Sequence, residues 1–366
     1  MQSRLARWTV YCRLVPKSRN LKEHQILEER FLTFAKNECK GNSSLYYELS
    51  TQIARDPDIL DIAAATREGQ PAPNILLGAV HYLLLNNPGE QLAKYYPSIH
   101  QNPPSNIPFD LFKAFCLTNE DAIRKIISTR IVQTNVIGRC AFLLPVFSKI
   151  IASEGRPTTI IDIGTSAGLT LNFDKYEYWY NSQKLFGESG VPVKSTILES
   201  PIPKIYPITR PIHKIGIDQN PVDPGDRDQI TWLKALVWPD QTERFAAMDE
   251  ALKLPELKNI KFIQADTVAK FERVIRATDP NQTLIIYATL VLYQFTQAES
   301  DEFYAMLERI GQTRDFYFLS VERLKSLMEK HHTTETVVEL TSFKNKKKTV
   351  DFLAETNAHG KWIRWK

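Results

Sequence analysis

The chain has 366 residues, 43% of them hydrophobic, enough for one large domain or two ordinary ones. Its formal charge is +4, yet Arg4, Arg7, Arg13, Lys17, Arg19 and Lys22 all precede the first acid, Glu23, and 46 basic residues less these six leave 40 against 42 acidic ones. A body so close to neutrality carries no broad nucleic-acid footprint, and no run of about eighteen uncharged apolar residues is present to span a membrane.

Residues 1–22 form a basic extension, expected to be disordered or loosely docked. An organellar transit segment, a membrane-touching arm and a start site placed too far upstream are the other readings. Cys12, Cys39, Cys116 and Cys140 are scattered, with no Cys-x-x-Cys pair, and read as free thiols in a reducing cytosol. No metal is expected, because His331 and His332 are adjacent and no His-Glu-x-x-His occurs. The expected location is cytoplasmic.

Residues 23–153 read as a helical front domain. Glu28 to Cys39 is amphipathic, Asp58 to Arg67 is a short helix, and Asn74 to Leu85 is strongly apolar, with proline-rich breaks between them. His81 lies inside that apolar helix and is expected to be a satisfied core histidine. Gln133, Thr134 and Asn135 stand just before the apolar run Phe142 to Ile151. Thr134 or Asn135 is placed to cap that helix, and a helix running from there would set Asn135 and Arg139 four apart on one face. A cap accounts for one of these residues, not for the concentration of amide and guanidinium groups. Gln133, Asn135 and Arg139 are therefore candidates for holding a carboxylate or another planar polar ligand.

Residues 154–366 alternate strands with helices. Thr158 to Ile163 is an apolar strand that runs into Asp162-Ile-Gly-Thr-Ser-Ala-Gly168. Leu169 and Leu171 suggest a helix beyond, making a strand–turn–helix unit whose glycines let backbone approach a ligand. The acid before the glycines argues against a phosphate cradle. It suits a cofactor with a cationic or hydroxyl-rich part, such as the amino group of S-adenosylmethionine. Lys214 to Asp218 and Lys261 to Asp266 are strands ending in aspartate, followed by the strands Thr283 to Ala288 and Asp315 to Val321. Helices over Asp226 to Val237, Val268 to Ala277 and Ala298 to Ile310 separate them, which indicates a parallel sheet covered on both faces.

Polar groups at several strand ends are what a shared crevice requires. Residues 181–211 look like an insertion, and Glu199, which closes Ser195 to Glu199, competes with Asp218 as the ribose-binding acid. At the end of the chain Thr336 to Phe343, Thr349 to Ala354 and Lys361 to Trp365 alternate like strands, expected to form a C-terminal antiparallel hairpin at the edge of the sheet. The lysines 344–348 are expected in its solvated turn, with a second turn at Asn357 to Gly360.

Four segments carry a resemblance: Arg130 to Cys140, Ile163 to Asn172 with Asp174-Lys-Tyr176, Gly216 to Asp223, and Trp232 to Pro239. In this order they resemble the mostly bacterial domain-of-unknown-function family 2332, over roughly Phe31 to Val321. That family looks like a distant branch of the class I S-adenosylmethionine-dependent methyltransferases. Two departures stand out: the loop lacks the middle glycine of Gly-x-Gly-x-Gly, and Val136 occupies a position where relatives often have glutamate.

The resemblance implies an α/β fold, a Rossmann-like methyltransferase-type mixed sheet with helices on both faces, preceded by the helical domain. It implies S-adenosylmethionine as cofactor and methyl transfer to a small-molecule acceptor. Gly164, Thr165, Ser166 and Gly168 would pass the methionine part and Asp162 its amino group. Asp218, or Glu199, would take the ribose and Asp266 the adenine. Tyr287, Thr289 and Tyr293 follow the fourth strand as candidate catalytic groups, and Gln133, Asn135 and Arg139 would form the acceptor pocket. Gly168→Val is expected to abolish cofactor binding with little loss of fold. Two rivals stand beside this reading. A nicotinamide-dependent oxidoreductase would want Gly-x-Gly-x-x-Gly, which is absent. The other is a binding or scaffold protein that keeps the fold and does no chemistry.

Overall fold

The computed structural model describes residues 17–366, with side chains from residue 22 onward. The basic extension thus lies outside the described residues, except for residues 17–22, which open the first helix. The chain divides into two compact units, one comprising Met1–Val132 with Ala235–Thr242, the other Gln133–Lys234 with Glu243–Lys366. No helix among the described residues is long and apolar enough to cross a membrane.

In the first unit the helices are α1 (Lys17–Phe34), α2 (Ser44–Ile53), α3 (Pro57–Ala63), α4 (Ala72–Asn86), α5 (Phe109–Thr118) and α6 (Glu120–Thr129). Local chemistry sets their starts. The Ser43 hydroxyl accepts the N–H of Tyr46 at 3.1 Å, and Asp56 accepts those of Asp58 and Ile59, with Pro57 at the first helical position. The apolar helix α4 is the centre of this unit, and His81 on it is a satisfied core residue. Its Nδ1 lies 2.9 Å from the Ala235 carbonyl and its Nε2 2.8 Å from the Ser98 hydroxyl. Burial lowers its pKa to about 4, so the ring is neutral. Trp238 meets Phe34 and Tyr46 with ring centroids 5.6 and 5.9 Å apart, which makes it a core residue of the same unit.

The second unit holds α7 (Cys140–Glu154), β1 (Thr158–Ile163), β2 (Glu177–Tyr180), β3 (Gln183–Phe186), β4 (Pro192–Ile197), β5 (Ile212–Asp218), α8 (Arg227–Ala235, whose last residue falls in the first unit) and α9 (Thr242–Leu252, beginning at its own first-unit residue). It continues through β6 (Ile260–Gln264), α10 (Val268–Arg276), β7 (Thr283–Thr289), α11 (Gln297–Gly311), β8 (Phe316–Glu322), α12 (Lys325–Lys330), β9 (Thr336–Lys344), β10 (Lys347–Thr356) and β11 (Trp362–Trp365). The eleven strands form one mixed, mostly parallel sheet in the order β3-β2-β4-β11-β10-β9-β8-β7-β1-β5-β6.

Strand β1 is central, with Ile163 level with Ile217 of β5 on one side and Ala288 of β7 on the other. Its six residues are all buried, as expected of a parallel strand covered on both faces. On one face Ile161 and Ile163 join Phe271 of α10 and Phe303 and Met306 of α11 in a single core. On the other, Phe147 of α7 packs edge-on against Phe173 and Tyr287, at 5.0 and 5.2 Å.

Three local expectations are corrected. The loop after β1 runs into a single 3-10 turn, Leu169–Asn172, rather than a helix. Tyr176, Tyr178 and Tyr180 alternate onto one buried side and donate their hydroxyls to the carbonyls of Leu169, Phe173 and Ala141, which pulls the chain into strand β2 instead. Residues 181–211, read as an insertion with few regular signals, carry regular structure. They supply β3 and β4, and the buried Val193, Ser195 and Ile197 give β4 the period of two that a strand requires. The C-terminal hairpin turns at Asn345 and Lys346, both at positive φ, but it does not lie at the sheet edge. Strand β11 pairs with β10 and then with β4, and the N–H of Thr196 donates to the Lys361 carbonyl at 2.9 Å. A bare edge is thereby avoided.

Candidate functional site

The segment 164–168 leaves β1 at the carboxyl edge of the sheet with three left-handed residues, Gly164 at φ 80°, Ser166 at 51° and Gly168 at 72°. Protein packing, not open space, demands the two glycines. A Cβ on Gly164 would come within 2.6 Å of a Val291 methyl, and one on Gly168 within 2.9 Å of the Phe262 ring and 3.0 Å of Ile260. The space behind Gly168 is therefore filled by β6, which removes the basis for expecting a fold-neutral Gly168→Val. Thr165 sits over Gly216 of β5, where a Cβ would meet its side chain at 2.6 Å. Asp218, ending β5, accepts the Ser166 N–H through Oδ2 and the Asn220 N–H through Oδ1, both at 2.8 Å.

The segment before α7 folds onto these turns. It is irregular from Arg130 to Val136 and then makes one 3-10 turn, Ile137–Arg139, so Asn135 and Arg139 do not share a helix face. They still reach adjacent strand ends. Gln133 Nε2 donates to the Asn220 carbonyl at 2.8 Å and Asn135 Nδ2 to the Thr165 carbonyl at 3.0 Å. Arg139 Nη1 donates to the carbonyl and the hydroxyl of Thr289, the last residue of β7, at 2.9 and 3.3 Å. The side-chain oxygens of Asn135 and Ser166 are buried and accept or donate nothing among the described residues. A buried polar atom without a partner costs about 1–3 kcal/mol.

The other candidates are dispersed. Asp162 points beneath the loop, where Thr170 donates to it at 2.8 Å and Tyr287 in turn donates to Thr170 at 3.1 Å. Burial pushes its pKa up to about 7, against the opposing pull of these hydroxyls. Tyr287 is fully buried, with its pKa driven well above the usual value by burial, whereas Tyr293 is 62% exposed. Asp266 is exposed and pairs with Lys270 at 2.7 Å, one turn along. Glu199 pairs with Arg364 at 3.0 Å beyond β4, six strands from β1, and so lies away from the loop. Asp174 pairs with the buried Lys214 at 2.6 Å. Among the described residues, no group of three or more His, Cys, Asp or Glu is placed to hold a metal ion.

Over residues 28–365 the sequence matches the family described as "Uncharacterized protein conserved in bacteria (DUF2332)". The chain belongs to this family. A comparison with curated proteins finds no match.

In this DUF2332 member the structure also brings in groups that the sequence analysis passed over. Glu322 ends β8, fully buried, and its Oε1 accepts the N–H groups of Val291 and Leu292 at 2.9 and 3.0 Å. Its Oε2 has no partner among the described residues, and burial pushes its pKa up to about 7. The signal was present, since Glu322 is an acid closing a strand just as Asp218 is. Burial, with the charge of Arg139 adding to it, lowers the pKa of both Arg244 on α9 and His359 in the turn before β11, and it leaves the His359 ring neutral. These residues lie far apart in the chain and no motif links them; the approach of His359 to the Arg139 turn follows from the register of β10 and β11, which brings the 357–360 turn against Gly138.

Proposed function

We propose that this chain binds S-adenosylmethionine at the carboxyl edge of β1 and β7 and transfers its methyl group to a small-molecule acceptor. The observation that carries the reading is the sheet order. Counted along the chain, the parallel strands β1, β5, β6, β7 and β8 lie in the order third, second, first, fourth, fifth. The order reverses between β1 and β7, and in open α/β sheets ligands bind in the crevice at such a reversal. The unpartnered oxygens of Asn135, Ser166 and Glu322 belong to the elements that leave this edge, and a polar ligand would satisfy them.

These residues fit a cofactor with ribose and amino-acid parts. Asn135 and Ser166 would meet its polar groups, and Asp218, whose oxygens each retain a lone pair, would accept ribose hydroxyls. When bound, the cofactor supplies a sulfonium methyl that passes to an acceptor lone pair while the sulfur keeps the bonding electrons. The chain's own part is to position the acceptor and exclude water. Asp162 serves from below, holding Thr170 and the root of the loop, rather than touching the cofactor.

A second reading, a ligand-binding protein without chemistry, draws on the state of the acceptor-side groups. Tyr287 is sealed in the core and the Thr289 hydroxyl is occupied by Arg139, which leaves Tyr293 the exposed member of the three. Calorimetric titration with S-adenosylmethionine and S-adenosylhomocysteine tests the proposal. Saturable binding of both, weakened at least tenfold in Asn135→Ala, is expected. No binding of either to the folded protein rejects it.

A further inference from the structure

We propose that Arg139, with Arg244 and His359 beside it, forms a binding site for the carboxylate or phosphate group of a small molecule at the carboxyl end of β7. Arg139 is 7% exposed, yet every group it bonds is neutral. Nη1 donates to the Thr289 carbonyl and hydroxyl, Nε donates to the Ala358 carbonyl at 3.2 Å, and no bond from Nη2 is found among the described residues. It forms no ion pair among them either. A buried charge is tolerated when paired and is costly otherwise. The fork of the guanidinium is half used, and its free side matches the two oxygens of a carboxylate or phosphate.

The surroundings add one further positive charge, on Arg244, and the neutral ring of His359. Burial and, after it, the charge of Arg139 bring the Arg244 pKa down to about 10, which leaves the group charged. Burial likewise brings His359 down to about 3, reinforced by Arg244, Arg139 and Lys361. Burial also lowers Arg139, while Glu322 and Asp162 act in the opposite sense; neither carboxylate pairs with it. Glu322 is committed to the Val291 and Leu292 N–H groups, and Asp162 to Thr170. The buried charge of Arg139, bonded to neutral groups and with its fork half used, asks for an anion.

The frame that holds them is rigid. A Cβ on Gly138 would overlap the His359 carbonyl, and one on Gly360 would overlap the Gly138 carbonyl. The backbone of the 357–360 turn thus lies directly on the turn that carries Arg139. Asn357 fixes the former by accepting the N–H groups of His359 and Lys361 at 3.2 and 2.7 Å. This pre-positions Arg139 and His359, so little ordering entropy remains to be lost on binding.

The inference stands apart from the methyltransferase reading, since its probes carry no nucleoside. The full chain is titrated with inorganic phosphate and, separately, with acetate, with chloride holding the ionic strength constant, and binding is read by calorimetry and thermal shift. One of the two anions is expected to bind saturably. Arg139→Met should abolish that binding, Arg244→Met should weaken it at least fivefold, and Arg139→Lys should retain part of it. The absence of saturable binding by either anion, or equal binding in Arg139→Met, overturns the proposal. Should Arg139→Met not fold, unchanged affinity in Arg244→Met overturns it alone. Phosphate or acetate binding in a protein that ignores S-adenosylmethionine would remove the methyltransferase reading and leave this one standing.

Discussion

Asp218 and Ser166 join two strand ends: the carboxylate Oδ2 of Asp218 accepts the Ser166 N–H at 2.8 Å, while its Oδ1 accepts that of Asn220. One side chain thereby fixes the turn after β1 and the turn after β5. Hydrogen bonds to a charged group are worth about 1.5–3 kcal/mol each. Asp218→Ala should therefore lower stability by about 2–4 kcal/mol in urea unfolding, and Asp218→Asn, which keeps one acceptor, by less. Any affinity for S-adenosylmethionine should fall in both variants. Equal stability of Asp218→Ala and the parent would show that the loop holds itself.

Gly168 gives a test of packing against binding. Its φ of 72° costs an L-residue about 1–2 kcal/mol, and a Cβ there meets Phe262 and Ile260. Gly168→Val should reduce thermal stability outright, before any question of ligand arises. At Gly216 the obstruction is the Thr165 side chain, so Gly216→Ala should be destabilising and Thr165→Ala should partly rescue it. Additive effects of the two substitutions, measured in a double-mutant cycle, would mean that Thr165 and Gly216 do not touch.

The strands were legible where residues repeat with a period of two or run unbroken and apolar. Thr158–Ile163 is found with the same bounds, and β5, β6, β7 and β8 differ from expectation by a residue or two. Leu169 and Leu171 misled, because two leucines two apart fit a helix turn, a 3-10 turn or a strand equally well. The buried hydroxyls of Tyr176, Tyr178 and Tyr180 decided between them, and their acceptors are tertiary. The convergence of Gln133 and Asn135 on the loops was readable as an unusual density of amides. Glu322 was passed over although it closes a strand as Asp218 does, and Arg244 and His359 were not found, since groups brought together from far apart in the chain leave no spacing to read.

The thiols offer a check on burial. Cys39, Cys116 and Cys140 are free and fully buried, and burial raises the pKa of each, that of Cys39 to about 12. The thiolate is the reactive form, so these three should resist a disulfide reagent at pH 8 until the protein unfolds. No more than one of the four cysteines should therefore react in the native state. Rapid reaction of two or more would contradict the packing around α2, α5 or α7.

Glu322 gives a prediction in which stability and function separate. Its pKa is raised from 4.5 to about 7 by burial. Below pH 4.5 the folded and unfolded chains both hold the proton, and the carboxyl costs nothing. Between about 4.5 and 7 the unfolded chain has lost it while the folded chain keeps it, so stability falls as pH rises, and above 7 the loss is complete. At 1.36 kcal/mol per pKa unit the total is on the order of 3 kcal/mol. Glu322→Gln keeps an acceptor for the Val291 and Leu292 N–H groups but removes the titration. Urea unfolding should show the variant more stable than the parent at pH 8 and about equal to it at pH 4. Asp162, raised to about 7, adds a dependence of the same sign that remains in the variant. If the free oxygen of Glu322 meets a ligand, the stabilised variant should also lose affinity for S-adenosylmethionine, as happens where a protein holds a strained group for function. A stability difference of the same size at both pH values would show that Glu322 titrates alike in the folded and unfolded chains and would remove this account of it.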